Sequence, residues 1–174
     1  MALLLGSLGA HAADYNNPLA AIAANPDLSE TADLLQKTGY DEPLGVGGDV
    51  TFLVLSNKFF DANKGHERYT LLQFFRDKLP REILLQVFQA MTLDGQYTVA
   101  QLGDLVAAEG SGKPLINSVL GPEGPKFRVH RAKDGNNIVL EDERRTGLLL
   151  TAENEIATEN GTIIIVNATT PIPK

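Results

Sequence analysis

Two unbroken apolar runs stand out in the pattern of hydrophobic and polar positions along the chain. One is Val50–Leu55, and the other is Thr162–Val166, which follows a tight turn at Glu159–Gly161. Runs of β-branched, aliphatic and aromatic residues without polar alternation are typical of strands that are covered on both faces. The pattern therefore predicts two buried β-strands, one in each half of the chain.

Helical spacing of apolar positions is the main pattern in the first two-thirds of the chain. It is interrupted at residues 41–49, which are rich in glycine and are expected to form a loop. Pro80 is expected to lie in the first turn of a new helix, because the N–H that proline lacks is not needed there. The predicted helices follow Asn17–Pro18, run from Ser29 to Gly39, follow Ser56–Asn57, span Tyr69–Leu79 and Arg81–Met91, and follow Tyr97–Thr98.

The pattern changes to strand-like alternation in the last third of the chain. Polar and apolar residues alternate over residues 127–131, and Lys133–Asn137 has the composition of a hairpin turn that returns through Ile138–Leu140. Helices therefore precede most of the strands instead of alternating with them. This order predicts an α+β fold, formed as a single domain over residues 14–174.

The composition is that of an ordinary globular domain with an acidic balance. The chain has 174 residues, with 15 Lys+Arg against 22 Asp+Glu, a formal net charge of −7 and no Cys. The absence of Cys excludes disulfides, thiolate metal sites and Cys nucleophiles. The negative charge argues against nucleic acid as a partner, because such binding depends on clustered Lys and Arg that neutralise phosphates.

The first residues resemble a secretory leader. Residues 1–12 are largely apolar and end in Ala10–Ala12, a small-x-small pattern of the kind that signal peptidase cleaves. We expect residues 1–13 to be a leader, either atypical or with a true start that lies upstream, and the protein to be secreted or at the cell surface. No other stretch approaches the ~18 apolar residues of a membrane span, and we expect no lipid-anchor signal near Lys174.

Candidate catalytic groups are few and far apart in the sequence. His66 is expected to be an exposed loop residue, and His130 is expected to face solvent from a hairpin strand. Glu141–Glu143 is the densest acidic cluster, and the two arginines that follow it favour a solvated turn. Gly110–Lys113 resembles a phosphate-binding loop but lacks the loop's first glycine and its hydroxyl residue. We therefore expect no catalytic residue, no cofactor and no metal site.

Two Asn-x-Thr sequons are candidate glycosylation sites in a secreted chain. Asn160 lies in a tight turn, where a side-chain amide usually bonds the nearby backbone, so a structural role is favoured there. Asn167 ends the last predicted strand and is the better acceptor. The sequence therefore predicts a glycan at Asn167 in preference to Asn160.

Three segments together resemble the fasciclin-like (FAS1) domain family, and the resemblance runs from about Leu19 to Pro173. A strand followed by a capped helix with a terminal Phe, Thr51–Phe60, is similar to the family's first conserved block. Asp94–Thr98 is similar to the loop after its central helix, and Glu159–Pro173 is similar to its second block. The residues that match these motifs, all expected to be structural, are Thr51, Phe52, Ser56, Asn57, Phe60, Gly95, Tyr97, Asn160, Gly161 and Pro173.

The chain departs from the family pattern at two places. Ala90 and Met91 stand where members commonly have a Tyr-His pair associated with receptor binding, and Leu55 stands where a proline is usual. Integrin-type recognition is therefore not implied for this chain. Met91 fits the apolar stripe of its helix as a core residue.

The resemblance implies a FAS1-type fold, with helices packed on a sandwich or wedge of strands. It also implies a secreted or surface-exposed, non-enzymatic domain whose partner in adhesion or matrix binding is an extracellular protein or polysaccharide. An alternative stays open, since some fungal members resemble accessory proteins of secreted oxidases that couple phenolic pigments. In that role the domain would bind a small aromatic substrate or the oxidase complex. A third class, a hydrolase, requires a His or carboxylate site that the sequence does not offer.

Overall fold

A computed structural model describes residues 15–46, 48–62, 70–108 and 114–171 of the chain. The helices in these ranges are α1 (Pro18–Ala24), α2 (Ser29–Thr38), α3 (Asp41–Val46), α4 (Asn57–Ala62), α5 (Leu71–Gln73), α6 (Arg81–Ala90) and α7 (Val99–Ala108). The strands are β1 (Val50–Leu55), β2 (Thr92–Asp94), β3 (Leu115–Asn117), β4 (Lys126–Arg131), β5 (Ile138–Glu141), β6 (Thr146–Leu150), β7 (Glu155–Thr158), β8 (Gly161–Val166) and β9 (Thr169–Pro171). Helices dominate the first part and strands the second, so the α+β prediction is confirmed.

The strands form two sheets, and one of them brings the two long apolar runs together. The four-stranded sheet has the order β2-β1-β8-β7, and the five-stranded sheet has the order β3-β4-β5-β6-β9. β1 and β8 are parallel neighbours, with Thr51 opposite Thr162 and Leu55 opposite Val166. Both strands are buried along nearly all of their length, which confirms that they are covered on both faces. Because parallel neighbours need a crossover, the chain between them supplies one long connection.

The two sheets meet at their edge strands, β2 and β3. Leu93 in β2 bridges to Ser118, and the N–H of Val119 donates to the carbonyl of Thr92 at 2.8 Å. In the described part of the chain, apolar side chains from the helices and from both sheets share one core cluster. Its largest fully buried side chains are Phe52, Ile22, Leu28, Leu34, Leu35, Leu53, Leu84, Leu93, Leu102, Ile138, Leu140 and Leu150.

Several helix ends have the capping residues that the sequence predicts. The side-chain oxygen of Asn17 accepts a hydrogen bond from the N–H of Ala20 at 2.8 Å at the start of α1. α2 ends at Gly39, whose φ of 75° is the left-handed conformation that favours glycine. The hydroxyl of Ser56 accepts the N–H of Phe59 at 3.1 Å and so begins α4. These three ends confirm the predicted boundaries.

Two predictions around α2 and α3 are wrong. Ser29 does not cap α2, because a 3-10 turn runs directly into the helix, and the Ser29 hydroxyl accepts a hydrogen bond from the Asn57 side chain at 3.0 Å. Residues 41–46 form α3 instead of the expected glycine-rich loop. Pro43 lies in the first turn, where no N–H is needed, and Leu44 is buried in the core. Core packing thus overrides the glycine content of this segment.

Two later helices also differ from expectation. The helix expected over residues 69–79 consists, in its described part, of α5 followed by a π-helical turn at Phe74–Lys78. In α6, Leu84 and Phe88 are buried as predicted, but Ile83 is 43% exposed. The buried face of α6 is therefore narrower than the apolar pattern indicates.

The hairpin between β4 and β5 has the predicted turn. The carboxylate of Asp134 accepts the N–H groups of Asn137 at 3.1 Å and of Asn136 at 3.0 Å. These hydrogen bonds, that of Asn137 first, lower the pKa of the Asp134 carboxyl. Gly135 has a φ of 76°, in the left-handed region. β4 and β5 pair antiparallel on either side of the turn.

Candidate functional site

The residues that match the FAS1 motifs gather around β1. The hydroxyl of Thr51 is fully buried, donates to the carbonyl of Gly95 at 2.9 Å and accepts the N–H of Tyr97 at 2.7 Å. The N–H of Gly95 donates to the carbonyl of Asp49 at 2.9 Å. The loop at residues 94–98 is thereby fastened to the first strand.

The side chain of Asn57 fixes the junction between β1 and the helices. Its amide nitrogen donates to the carbonyl of Pro26 at 3.1 Å and to the hydroxyl of Ser29 at 3.0 Å. Its amide oxygen accepts the N–H of Glu30 at 3.2 Å. Asn57 therefore bridges the start of α4 to the start of α2, while Phe60 on the same helix is buried in the core.

The C-terminal motif lies beside the first one. The carbonyl of Asn160 accepts the N–H of Gly48 at 2.9 Å. A Cβ at Gly161 would lie 2.9 Å from Cγ of Pro18 and 3.3 Å from the carbonyl oxygen of Val50, so a side chain has no room there. Pro173 is outside the described residues. These positions join backbone segments that are distant in sequence.

Tyr40 links α6 and β2 through a buried aromatic group. Its ring stacks on Phe88 at a centroid distance of 6.4 Å and meets Phe52 edge-on at 6.2 Å. Its hydroxyl lies 3.0 Å from that of Thr92, which in turn donates to the carbonyl of Phe88 at 2.9 Å. Burial raises the pKa of the Tyr40 hydroxyl above its ordinary value, and the hydrogen bond to Thr92 partly offsets the rise.

The structure brings His130 and Glu141 together on the outer face of the five-stranded sheet, away from the core. Nε2 of His130 lies 3.4 Å from one carboxylate oxygen of Glu141, and Nε of Arg145 lies 3.5 Å from the other. Glu141 is only 1% exposed, so the expectation of a solvated turn is wrong for this residue. Glu141 is the last residue of β5, and the turn begins after it. The side chain of His130 is 22% exposed and so faces solvent only in part.

Arg128 and Arg145 belong to the same cluster and were not predicted to be site residues. Arg128 lies directly opposite Glu141 in the antiparallel register, so the two side chains share a face of the sheet. Arg145 has a φ of 64°, a conformation uncommon for a residue other than glycine. The available signal was the alternation within Lys126–His130, where every second residue is basic.

The two sequons lie at opposite ends of β8. Asn160 is in the turn before this strand, and Asn167 follows its last residue, Val166. Both asparagines are half-buried. Thr169, the third residue of the second sequon, begins β9 and lies opposite Leu148.

Other candidate groups fall outside the described ranges or outside any cluster. The structure does not describe His66, Gly110–Lys113 or the leader-like residues 1–13. Within residues 15–46, 48–62, 70–108 and 114–171, no group of three or more His, Asp or Glu could hold a metal ion. Over the same ranges, none of the helices has the length and apolar character needed to cross a membrane.

The fold is shared with a solved fasciclin structure. No family model and no curated protein matches the sequence. Among solved structures, the chain is similar to the one described as "Novel Fold Revealed by the Structure of a FAS1 Domain Pair from the Insect Cell Adhesion Molecule Fasciclin I", with a TM-score of 0.65 and 14% sequence identity. The match covers 92% of this chain and 52% of that chain, so this chain spans about half of the domain pair. The chain has a fasciclin-like (FAS1) fold, and the predicted fold is confirmed.

Proposed function

We propose that this chain is a secreted or surface-exposed, non-enzymatic binding domain that acts in adhesion or matrix association. One observation carries the proposal, namely the FAS1 fold, which is similar over 92% of the chain to a structure from an insect cell adhesion molecule. The leader-like residues 1–13 support export, and the sequon at Asn167 fits an extracellular setting. The proposed partner is an extracellular protein or polysaccharide.

Binding is expected to depend on an exposed surface and not on a single reactive group. The carboxylate of Glu141 is buried and contacts His130 and Arg145, an arrangement that suits holding these side chains in place. Removal of a general base typically lowers turnover by ~10²–10⁴-fold. We expect no turnover of ester or glycoside substrates by the full chain. A turnover that falls by that factor in His66→Ala, His130→Ala or Glu141→Gln would overturn the non-enzymatic assignment.

Expression of the full chain in a secreting eukaryotic host tests export and glycosylation. We expect protein in the medium whose mass lacks the leader and falls further on glycosidase treatment. We expect Asn167→Gln to abolish the glycosidase shift and Asn160→Gln to preserve it. Secreted protein with an intact Met1 would overturn the prediction that a leader is removed. An unchanged glycosidase shift in Asn167→Gln would overturn the glycan assignment.

Binding measurements on the purified chain separate adhesion from the oxidase-accessory role. We expect saturable binding to immobilised extracellular polymers that a small phenol does not displace. The accessory role predicts the reverse, with calorimetric binding of the phenol and no retention on the polymers. That reversed result would replace the adhesion proposal with the accessory one.

A further inference from the structure

The outer face of the five-stranded sheet carries a line of basic side chains. Lys126, Arg128 and His130 occupy alternate positions of β4, so all three project from the same face. The intervening residues Phe127 and Val129 are buried in the core on the opposite face. Arg128 is exposed, and Lys126 and His130 are half-buried. The three basic groups therefore face away from the core.

Glu141 holds a fourth basic side chain next to this line. Its carboxylate is 3.5 Å from Nε of Arg145 and 3.4 Å from Nε2 of His130, and it lies opposite Arg128 in the register. The side chain of Arg145 is 62% exposed, so most of it is open to solvent while Nε contacts the buried carboxylate. We call Lys126, Arg128, His130 and Arg145 the basic row.

The basic row is positive although the chain as a whole is negative, with a formal net charge of −7. The row has three permanent cations, Lys126, Arg128 and Arg145, and on the described strands of this sheet Glu141 supplies the one carboxylate on the same face. Among the described residues, neither Lys126 nor Arg128 has a carboxylate within 4.0 Å. The nearby Asp142 carboxylate accepts the N–H of Thr146 at 2.7 Å, at the start of the next strand. The row therefore forms a local positive surface that can attract an anion.

The shape of the row indicates an extended polyanion. Alternate residues of a strand are ~6.6–6.8 Å apart, so the three side chains of β4 span about 13 Å in a single line. On β5, Val139 and Glu141 face the same side of the sheet as the basic side chains of β4 but are buried. The line of basic groups therefore does not extend across β5. On the other side, Leu115 lies opposite Arg128 and is 59% exposed, which offers an apolar contact beside the charges.

We propose that the basic row binds a linear acidic polysaccharide, with its carboxylate or sulfate groups on the guanidinium groups of Arg128 and Arg145. Guanidinium groups donate two parallel hydrogen bonds to planar anions and bind such groups well at a protein surface. The exposed Leu115 suits the C–H face of a sugar ring next to the anionic group. This inference rests on the proposed function and names the class of its partner.

Retention of the full chain on immobilised polygalacturonate, heparin and neutral dextran tests the proposal at low and high salt. We expect binding to both acidic polymers, weakening with salt because the charges are exposed, and no binding to dextran. The comparison of polygalacturonate with heparin shows whether carboxylate suffices or sulfate is needed. Equal binding to acidic and neutral polymers would overturn the assignment of the basic row as the binding site but would leave the proposed function in place.

Matched charge variants locate the site on the surface. We expect Arg128→Gln to weaken binding to the acidic polymer about tenfold, the loss of one or two charge-assisted hydrogen bonds. Lys58→Gln on α4 removes the same charge from an exposed position elsewhere, and we expect little change. Circular dichroism checks that both variants are folded. Equal weakening by the two variants would show a general charge effect and overturn the site.

Two further results would reassign the partner. Tighter binding to phosphatidylserine vesicles or to single-stranded DNA than to either acidic polysaccharide would overturn the assignment of a polysaccharide as the partner. If the chain binds no polysaccharide and no extracellular protein, the proposed function itself fails. The double variant Lys126→Gln with Arg128→Gln is expected to lose more affinity than either single change. An unchanged affinity in the double variant would overturn the assignment of the basic row as the binding site.

Discussion

The hydroxyl of Thr51 serves two backbone groups at once, because it donates to Gly95 and accepts from Tyr97. Valine at this position keeps the shape of threonine and removes both hydrogen bonds. Since the partly buried N–H of Tyr97 would lose its partner, we expect Thr51→Val to lower the free energy of unfolding by ~1–3 kcal/mol. Denaturant melts measure the change. Thr146→Val on the exposed side of β6 is the control and should stay within about 0.5 kcal/mol, and equal losses would contradict the role of Thr51.

Gly95 combines an unusual backbone conformation with a lack of space. Its φ is 115°, and a Cβ there would lie 2.8 Å from the ring of Tyr97. We expect Gly95→Ala to destabilise the fold by ~1–3 kcal/mol, the typical cost of a strained backbone conformation. Gly45→Ala is a matched control, because Gly45 is helical and its Cβ would lie 3.6 Å from Leu19, an ordinary contact. Thermal melts that show Gly95→Ala to be as stable as Gly45→Ala would contradict this account.

At the scale of elements, what the sequence predicts correctly depends on the length of the pattern. β1 and β8 were predictable because each is a short run of β-prone residues without polar alternation, a pattern typical of strands covered on both faces. The strands β2, β3 and β9 have three residues each, too few for a period to show, and were not predicted. β6 and β7 were not predicted either, because their residues neither alternate nor form a long apolar run. β2 and β3 exist because neighbouring chain supplies their hydrogen bonds, such as the bridge between Leu93 and Ser118.

The candidate site was only partly predictable for a similar reason. The acidic and basic residues around Glu141 have the local composition of a solvated turn, and composition does not show strand register. The register places Glu141 opposite Arg128 and beside His130, and its carboxylate is buried there. Burial of a charged group is a tertiary property, and so it could not be predicted from the local composition.

The side chain of Asn57 joins α4 to the start of α2 by three hydrogen bonds, so its removal tests how two elements are held together. We expect Asn57→Ala to lower the free energy of unfolding by ~1–3 kcal/mol and to speed hydrogen exchange at Glu30. Asn57→Asp keeps an acceptor for the Glu30 N–H and loses both donors, so its stability should be intermediate. Denaturant melts in which Asn57→Asp matches the parent would show that the two donated bonds contribute nothing.

The contact between Tyr40 and Thr92 predicts a pH dependence. Burial, the larger cause, raises the pKa of Tyr40 above 10.0, and the hydrogen bond between Tyr40 and Thr92 lowers it in part. The folded state therefore holds the proton more tightly than the unfolded state. The resulting stability is fully present below pH ~10 and is lost as pH rises through the raised folded pKa. We expect Tyr40→Phe to show a shallower loss of unfolding free energy above pH ~10 than the parent, and equal slopes would contradict the assignment.

At the scale of the whole molecule, the parallel pair of β1 and β8 ties the first third of the chain to its end. Thr51 and Thr162 are opposite each other, so the loop between them must close before the pair forms. Closing such a loop costs conformational entropy before the contacts between the two strands can form. This topology therefore favours slow folding relative to a helical protein of similar size. The bridge from β2 to β3 then joins the second sheet to the same core.

This shared core predicts that the two sheets unfold together. Ile164 lies in β8, opposite Leu53, and is fully buried. We expect Ile164→Ala to lower the free energy of unfolding by ~2–5 kcal/mol, through lost burial and the cavity left behind. Because the core is continuous, hydrogen-exchange protection should fall by the same amount in β1 and in β5, although β5 belongs to the other sheet. Val119→Ala, at a position 38% exposed, should leave both unchanged. Loss of protection in β1 alone would show that the five-stranded sheet is stable by itself, and the two sheets would then be separate folding units.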